Sequence, residues 1–291
     1  MPRLRSALRT FLGGWRNDVA PSWSDLLDDV EPAYAAVDGQ LELEEEELIF
    51  PGRRGVDLPG APAGAHIFRA LDGSEPSQVR VVVIGQDPYP RLARATGRAF
   101  EQGDLTDWRL PAPRPASSLK SIIQCAAHFR TNRQRYLSPK SGWSRLVADL
   151  AGGSLALDGP AATFDRWQSQ RVLFLNTALT LTRYERGGHP HQLLGHIPLW
   201  APVVGAICRR LATRADTPIV FLSWGSKARQ FLAGIGVLQS EAPPAALAPG
   251  VRNTAVVDRP HPSVRSFLNR PNVFTETNRQ LRRLDTEPIE W

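Results

Sequence analysis

Four short runs of apolar, mostly β-branched residues divide this 291-residue chain: residues 81–84, 172–175, 219–222 and 254–257. Each run leads into Gly, Pro or polar residues, a pattern typical of a strand buried on both faces of a parallel sheet. Longer periodic segments predict helices near residues 23–37, 117–129, 142–150, 196–213, 226–234 and 273–284. The pattern therefore predicts an α/β three-layer sandwich, with a central, mostly parallel four-stranded sheet flanked by helices.

A residue with a hydrogen-bonding side chain follows each run: Asp87, Asn176, Ser226 and His261. The carboxyl ends of parallel strands gather at one edge of a sheet, where ligands bind, so these side chains are expected to share a cleft. Each residue also has a simpler interpretation: a turn residue for Asp87, helix caps for Asn176 and Ser226, and a structural role for His261. The joint pattern favours a functional site.

Three motifs occur in one order along the chain: Gly85-Gln86-Asp87-Pro88-Tyr89, Leu175-Asn176-Thr177 and His261-Pro262-Ser263. They resemble the water-activating, uracil-recognising and DNA-intercalating motifs of family 1 uracil-DNA glycosylases. Segments 115–119, 224–226 and 287–291 extend the likeness over about residues 20–291. The resemblance implies a DNA repair glycosylase that flips uracil out of DNA, hydrolyses its bond to deoxyribose and leaves an abasic site.

The resemblance assigns the chemistry to Asp87 and His261. Cleavage of the N-glycosidic bond develops positive charge on the sugar and negative charge on the base. An ionised Asp87 would stabilise the sugar and orient the attacking water, as carboxylates do in O-glycoside hydrolysis. By the same likeness, a neutral His261 would donate a hydrogen bond to uracil O2, and the sequence leaves its tautomer open.

The uracil-binding residues implied by the resemblance are Gln86, Tyr89, Phe100 and Asn176. The amide of Asn176 can donate to uracil O4 and accept from N3–H, a pairing that cytosine cannot satisfy. Tyr89 would fill the space beside C5 and clash with a thymine methyl group. Phe100 would stack on the flipped base, with an ordinary core phenylalanine as the alternative interpretation.

The resemblance also implies a set of DNA-binding residues: Ser118, Gly225, Ser226, Ser263, Arg265 and Ser266. Two positions depart from the family pattern, because Arg265 replaces the usual leucine wedge and Pro90 replaces a histidine. Arg265 can stack its guanidinium in a base gap, and Phe267 is a candidate substitute wedge. These departures keep open a second hypothesis, a uracil- or damage-recognising DNA-binding protein with weak or altered turnover.

The net charge of +6 and the isoelectric point near 9.9 suit an anionic partner, here uracil-containing DNA. Cys125 and Cys208 are the two cysteines of the chain, so the four-cysteine iron-sulfur site of other uracil glycosylase families cannot form. His189, His191 and His196 have no cysteines or carboxylates at ligand spacing. We therefore expect no cofactor and no metal.

Residues 1–20 are expected to form a basic N-terminal extension, and residues 21–291 a uracil-DNA glycosylase-like α/β domain. The chain ahead of Asp18 has arginines and no acid, which suits a presequence, a DNA-gripping arm or, most simply, a frayed tail. No apolar run reaches the roughly 20 residues that span a bilayer. We expect a monomer without membrane contact, cytoplasmic in a bacterium and nuclear or mitochondrial in a eukaryote.

Overall fold

The fold is built on a parallel four-stranded sheet, seen in a computed structural model that describes residues 1–238 and 253–291. The strands are β1 (Val81–Gly85), β2 (Val172–Asn176), β3 (Ile219–Trp224) and β4 (Thr254–Arg259), in the order β2-β1-β3-β4. Each strand starts at the first residue of a predicted run, and the predicted fold class is confirmed.

Helices cover both faces of the sheet. They are α1 (Leu4–Phe11), α2 (Ser24–Leu27), α3 (Ser117–Thr131), α4 (Gly142–Ala151), α5 (Pro160–Ser169), a π-helix (His191–His196), α6 (Ile197–Ala212), α7 (Ser226–Gly234) and α8 (Val273–Arg283). Val82 and Ile84 pack into a core that includes residues of α1, α2, α6 and α7. Val81 and Val83 pack into a second core with α3, α4, α5 and α8. Because successive side chains of β1 enter different cores, the sheet is the middle layer of three.

Among the predicted helices, the one expected over residues 23–37 is wrong. Helix α2 ends at Leu27, and a single 3-10 turn, Tyr34–Ala36, follows later. Pro32 explains the break, because its ring would clash with the carbonyl of Asp28 in a continuous helix. The other predicted helices are confirmed, with ends that differ by a few residues.

The N-terminal segment is not a frayed tail, and that expectation is wrong. Leu4 and Leu8 of α1 are fully buried in the same core as β1. The arginines of this segment are engaged locally: Arg3 pairs with Glu42 at 3.0 Å, and Arg16 pairs with Glu31 at 2.6 Å. The apolar spacing of α1 explains the difference, because one face of a short helix buries leucines while its arginines stay outside.

Asn278, to which the sequence assigned no role, fastens the C-terminal segment to α8. Its Oδ1 accepts from the backbone N–H of Ile289 and from the indole N–H of Trp291, and its Nδ2 donates to the Ile289 carbonyl. Trp291 stacks on Phe274 with ring centroids 4.3 Å apart. In the described ranges, no helix combines the length and apolar character needed to cross a membrane.

Candidate active site

A cavity of about 510 Å³ opens at the carboxyl edge of the sheet, where the segments after β1, β2, β3 and β4 meet. Its lining brings together ten of the twelve residues expected to form the site: Gln86, Asp87, Tyr89, Phe100, Ser118, Asn176, Gly225, Ser226, His261 and Ser263. The other two, Arg265 and Ser266, are exposed and lie outside this lining. The topology thus converts residues distant in sequence into one site.

Asp87 stands at the end of β1 with most of its carboxyl group withdrawn from water. Burial raises its pKa from 3.8 to about 6, and a hydrogen bond from the side chain of Gln192 lowers it in part. Near neutral pH the carboxyl group is therefore predominantly ionised, and its partly buried surroundings solvate the negative charge less well than water does. Such a carboxylate interacts strongly with positive charge that develops beside it.

Asn176 ends β2 directly opposite Gly85, its partner in the register of β1 and β2. The side chain is buried, and its Oδ1 is a buried acceptor without a hydrogen-bond partner in the described chain. A Cβ atom on Gly85 would lie 2.2 Å from this oxygen, so only glycine leaves room for the amide. Asn176 lines the cavity, and a buried acceptor without a partner favours a ligand with an N–H group.

Tyr89 and Phe100 form one wall of the cavity. The Tyr89 hydroxyl donates to the backbone carbonyl of Phe100 at 3.3 Å and lies 3.5 Å from the hydroxyl of Ser118. Phe100 has a φ of 63°, a conformation that an aromatic residue rarely adopts, and its ring lies 5.4 Å from that of Trp224. Strain of this kind persists where the surrounding structure holds it, and it is common at binding sites.

His261 has a defined tautomer in this structure. Its Nδ1 accepts the backbone N–H of Ser263 at 3.2 Å and lies 2.7 Å from the Ser263 hydroxyl. Since a backbone N–H can only donate, Nδ1 is the acceptor and Nε2 carries the proton. Desolvation lowers the pKa of the ring below 6.5, so the imidazole is neutral at pH 7. The ring that lines the cavity is therefore a neutral hydrogen-bond donor.

The serines expected to bind phosphate are not helix caps. Ala116 is the N-cap of α3 and Gly225 that of α7, and neither makes a side-chain cap hydrogen bond. Gly225 has a φ of 97°, and a Cβ there would lie 3.0 Å from Cβ of His261. Ser118 and Ser226 thus lie within the first turns of their helices, a location that suits anions.

The segment after His261 exposes one apolar side chain, Val264, beside Arg265. Phe267 is buried, with its ring 5.5 Å from that of Trp224, so the hypothesis that it serves as a substitute wedge is wrong. Its neighbour Arg265 is exposed, and Val264 has 45% of its surface exposed. An arginine and a valine therefore occupy the tip of this loop.

Gln192 is the site residue that sequence reasoning missed. It lies in the π-helix, lines the cavity, and donates from Nε2 to Oδ1 of Asp87 at 2.7 Å. The two residues are 105 positions apart, and Gln192 belongs to none of the motifs. Only its position in a Gly- and His-rich segment of the connection between β2 and α6 hinted that it could reach the site.

No metal centre accompanies the cavity: among the described residues, no group of three or more His, Cys, Asp or Glu could hold a metal ion. Cys125 and Cys208 are buried in α3 and α6, and burial raises the pKa of both thiols. His196 is fully buried, and its ring bonds the hydroxyls of Thr180 and Thr182. The cysteines and this histidine have structural roles in the cores.

Comparison with known proteins agrees with the fold and shows the family. The model of the Uracil DNA glycosylase superfamily matches residues 73–282, and the chain belongs to this family. The uracil-DNA glycosylase of Porphyromonas gingivalis is 31% identical over 237 residues, which cover 80% of this chain and 83% of that protein. That of Bordetella pertussis is 29% identical over 284 residues, 93% of this chain and 86% of that protein.

Solved structures share the fold. The crystal structure of mimivirus uracil-DNA glycosylase superposes with a TM-score of 0.62 at 18% identity, and the match covers 100% of this chain and 94% of that one. The α/β architecture predicted from the strand pattern is therefore shared with a solved structure.

Proposed function

We propose that this protein hydrolyses the N-glycosidic bond between uracil and deoxyribose in DNA and leaves an abasic site. The observation that carries the proposal is the convergence of Asp87, Asn176 and His261 on one cavity, with the Oδ1 of Asn176 buried and unpartnered. Membership of the superfamily and the names of the relatives support the same activity.

Recognition of uracil follows from the amide of Asn176. Its unpartnered Oδ1 accepts the N3–H of uracil, and its Nδ2 donates to O4. Cytosine presents an acceptor at N3 and a donor at C4, so both atoms of the amide would be left unpaired in a buried site. Tyr89, held by its hydrogen bond to Phe100, closes the space beside C5 against the methyl group of thymine.

Bond cleavage is driven from both sides of the glycosidic bond. The Asp87 carboxylate stabilises the cationic sugar, orients the water whose oxygen attacks C1′ and accepts the proton that this water loses. The bond to N1 breaks, the electron pair goes to uracil, and the neutral His261 donates from Nε2 toward O2 as negative charge grows there. The ring of Phe100, whose centroid lies 6.1 Å from that of His261, stacks on one face of the base.

The DNA strand is held at the rim of the cavity. Ser118, Ser226 and Ser263 present hydroxyl groups there, and the basic chain attracts the phosphate backbone. Arg265 lies on the adjoining loop, where it reaches the gap that the flipped nucleotide leaves. A guanidinium fills this gap less completely than a leucine, so excision from duplex DNA is expected to be slower than from single strands.

A binding protein with weak turnover is the second candidate, and Pro90 favours it. Pro90 lines the cavity and offers neither an N–H donor nor a titratable group. The presence of an ionisable Asp87 favours the enzyme, because recognition of uracil does not require a carboxylate beside the sugar.

The test is excision from matched single-stranded and duplex oligonucleotides that carry uracil, thymine or cytosine at one position, in the presence of a chelator. We expect release of uracil alone by the wild-type protein, none by Asp87→Asn, and release of some cytosine by Asn176→Asp. Tight binding of uracil-containing DNA without release would favour the second candidate. Wild-type activity in Asp87→Asn would contradict the role given to that carboxylate.

A further inference from the structure

The carboxylate of Asp87 has one side-chain hydrogen-bond partner in the described ranges, Gln192. Two of its neighbours in the same loop, Pro88 and Pro90, have no N–H group to offer the carboxylate. Gln192 has 2% of its surface exposed, so a chain segment distant in sequence delivers a buried amide to the carboxylate. Because the Gln192 amide is buried and the Asp87 carboxylate is partly withdrawn from water, solvent competes little with their contact.

A network of buried side chains holds the π-helix that carries Gln192. His191 lies 2.9 Å from the hydroxyl of Thr182, and His196 lies 2.8 Å from that of Thr180 and 3.1 Å from that of Thr182. Trp200 donates its indole N–H to Thr180 at 2.7 Å. The network fixes both ends of the π-helix, a wide turn that is uncommon outside functional sites.

We propose that Gln192 is a positioning residue for the glycosylase reaction: its amide holds Oδ1 of Asp87 so that the other carboxylate oxygen is directed at the sugar and the attacking water. This inference rests on the proposed function. Asp87 touches the reacting atoms, and Gln192 acts through Asp87. The amide also favours the charged form of the carboxyl group, because its N–H donates to an oxygen that carries negative charge.

Other titratable and charged groups share the cavity with Asp87. They are Tyr89 of the same loop, Arg98, Tyr184 and Glu185 of the segment after β2, Lys227 of α7 and His261 after β4. Arg98 is committed to Glu101 and Asp165 in ion pairs, and His261 is neutral at pH 7. Burial and the hydrogen bond from Gln192 are the causes of the shift in the pKa of Asp87. The fall of kcat/KM toward low pH, the acid limb of the pH profile, is therefore expected to follow the ionisation of Asp87 in contact with Gln192.

The experiment measures kcat/KM for uracil release from a single-stranded oligonucleotide between pH 4.5 and 9, with the full-length protein. Gln192→Met keeps the length of the side chain and removes the donor. We expect its acid limb to move upward by about one pH unit and its kcat at pH 8.5 to fall about tenfold. KM is expected to change little, and the thermal midpoint of unfolding at pH 8.5 is expected to fall by about 2–4 °C, because a higher pKa of Asp87 in the folded chain lowers stability at that pH.

Two further variants separate positioning from a general structural effect. Gln192→Glu places a second carboxyl group against Asp87, so the pair shares a proton and the acid limb moves further upward than in Gln192→Met. Gln124→Met is the matched control, because Gln124 is an equally buried glutamine whose amide bonds the Tyr136 carbonyl at 2.6 Å, away from the cavity. It is expected to lower stability and leave the acid limb unchanged.

An acid limb at the wild-type position in both Gln192 variants would overturn the inference, as would an equal shift in Gln124→Met. Failure of the proposed function is recognised separately, because the wild-type protein would then release no uracil. In that case, the titration of the Asp87 carboxyl carbon by NMR, assigned with Asp87→Asn, still tests the contact. An unchanged titration in Gln192→Met would then overturn it.

Discussion

Replacement of Gly85 by alanine is expected to disable base recognition through one methyl group. The added Cβ would lie 2.2 Å from Oδ1 of Asn176 and 2.7 Å from Cβ of Ala99. Ordinary contacts between such atoms begin near about 3.5 Å, so the amide oxygen has to move by about 1 Å. Overpacking of this kind costs about 1–3 kcal/mol, and a misplacement of about 1 Å in a site costs about 100-fold in rate.

The assay compares kcat/KM for uracil release and the free energy of unfolding in urea. Gly85→Ala is expected to lose about 100-fold in kcat/KM and about 1–3 kcal/mol of stability. Gly234→Ala is the control, because no heavy atom of residues 1–238 and 253–291 lies within 4 Å of a Cβ at this exposed helical glycine. It is expected to keep full activity and to gain about 0.5–1 kcal/mol of stability.

A double-mutant cycle locates the strain. If the methyl group acts by displacing the amide, Asn176→Ala removes the clash, and the losses of stability in the two single variants will not add in the double variant. Additive losses of stability would contradict a clash between the two side chains. A Gly85→Ala protein with wild-type kcat/KM would refute the inference that glycine is needed at position 85 to leave room for the Asn176 amide.

Three further predictions address the carboxylate, the C-terminal segment and the DNA loop. Because burial raises the pKa of Asp87 to about 6 in the folded chain, its ionised form destabilises the fold above pH 6 and this cost vanishes below about pH 4. Asp87→Asn is thus expected to abolish excision. It is also expected to raise the free energy of unfolding by up to about 3 kcal/mol at pH 8 and not at pH 4. An equal gain in stability at both pH values, measured by denaturant titration, would contradict the raised pKa. Asn278→Leu removes three hydrogen bonds to Ile289 and Trp291, so it is expected to cost about 3 kcal/mol in denaturant unfolding while excision per folded molecule stays constant. Arg265→Leu is expected to raise duplex excision several-fold relative to single strands in parallel time courses, and an unchanged ratio would show that the loop tip does not fill the gap in the stack.

The sequence by itself determined the sheet and most of the expected residues that line the cavity. Runs of apolar residues place β1 to β4 correctly, because a strand buried on both faces needs an unbroken apolar segment. The parallel order then gathers the strand ends, so Asp87, Asn176 and His261 meet in one cavity, as the pattern predicted. These features depend on local composition and on the rule that the carboxyl ends of parallel strands gather at one edge of a sheet, so a single sequence is enough to predict them.

Only the tertiary structure decided the details that depend on contacts between distant segments. The i, i+4 spacing of Leu4 and Leu8 suits one face of a helix, but only the fold shows that this face enters the core. Only the fold likewise shows that Phe267 packs against Trp224 instead of facing DNA. The hydrogen bond from Gln192 to Asp87 joins residues 105 positions apart. It depends on a π-helix that the periodicity of apolar residues does not predict. Such contacts depend on which surfaces the packed layers bring together, and that is a property of the whole fold.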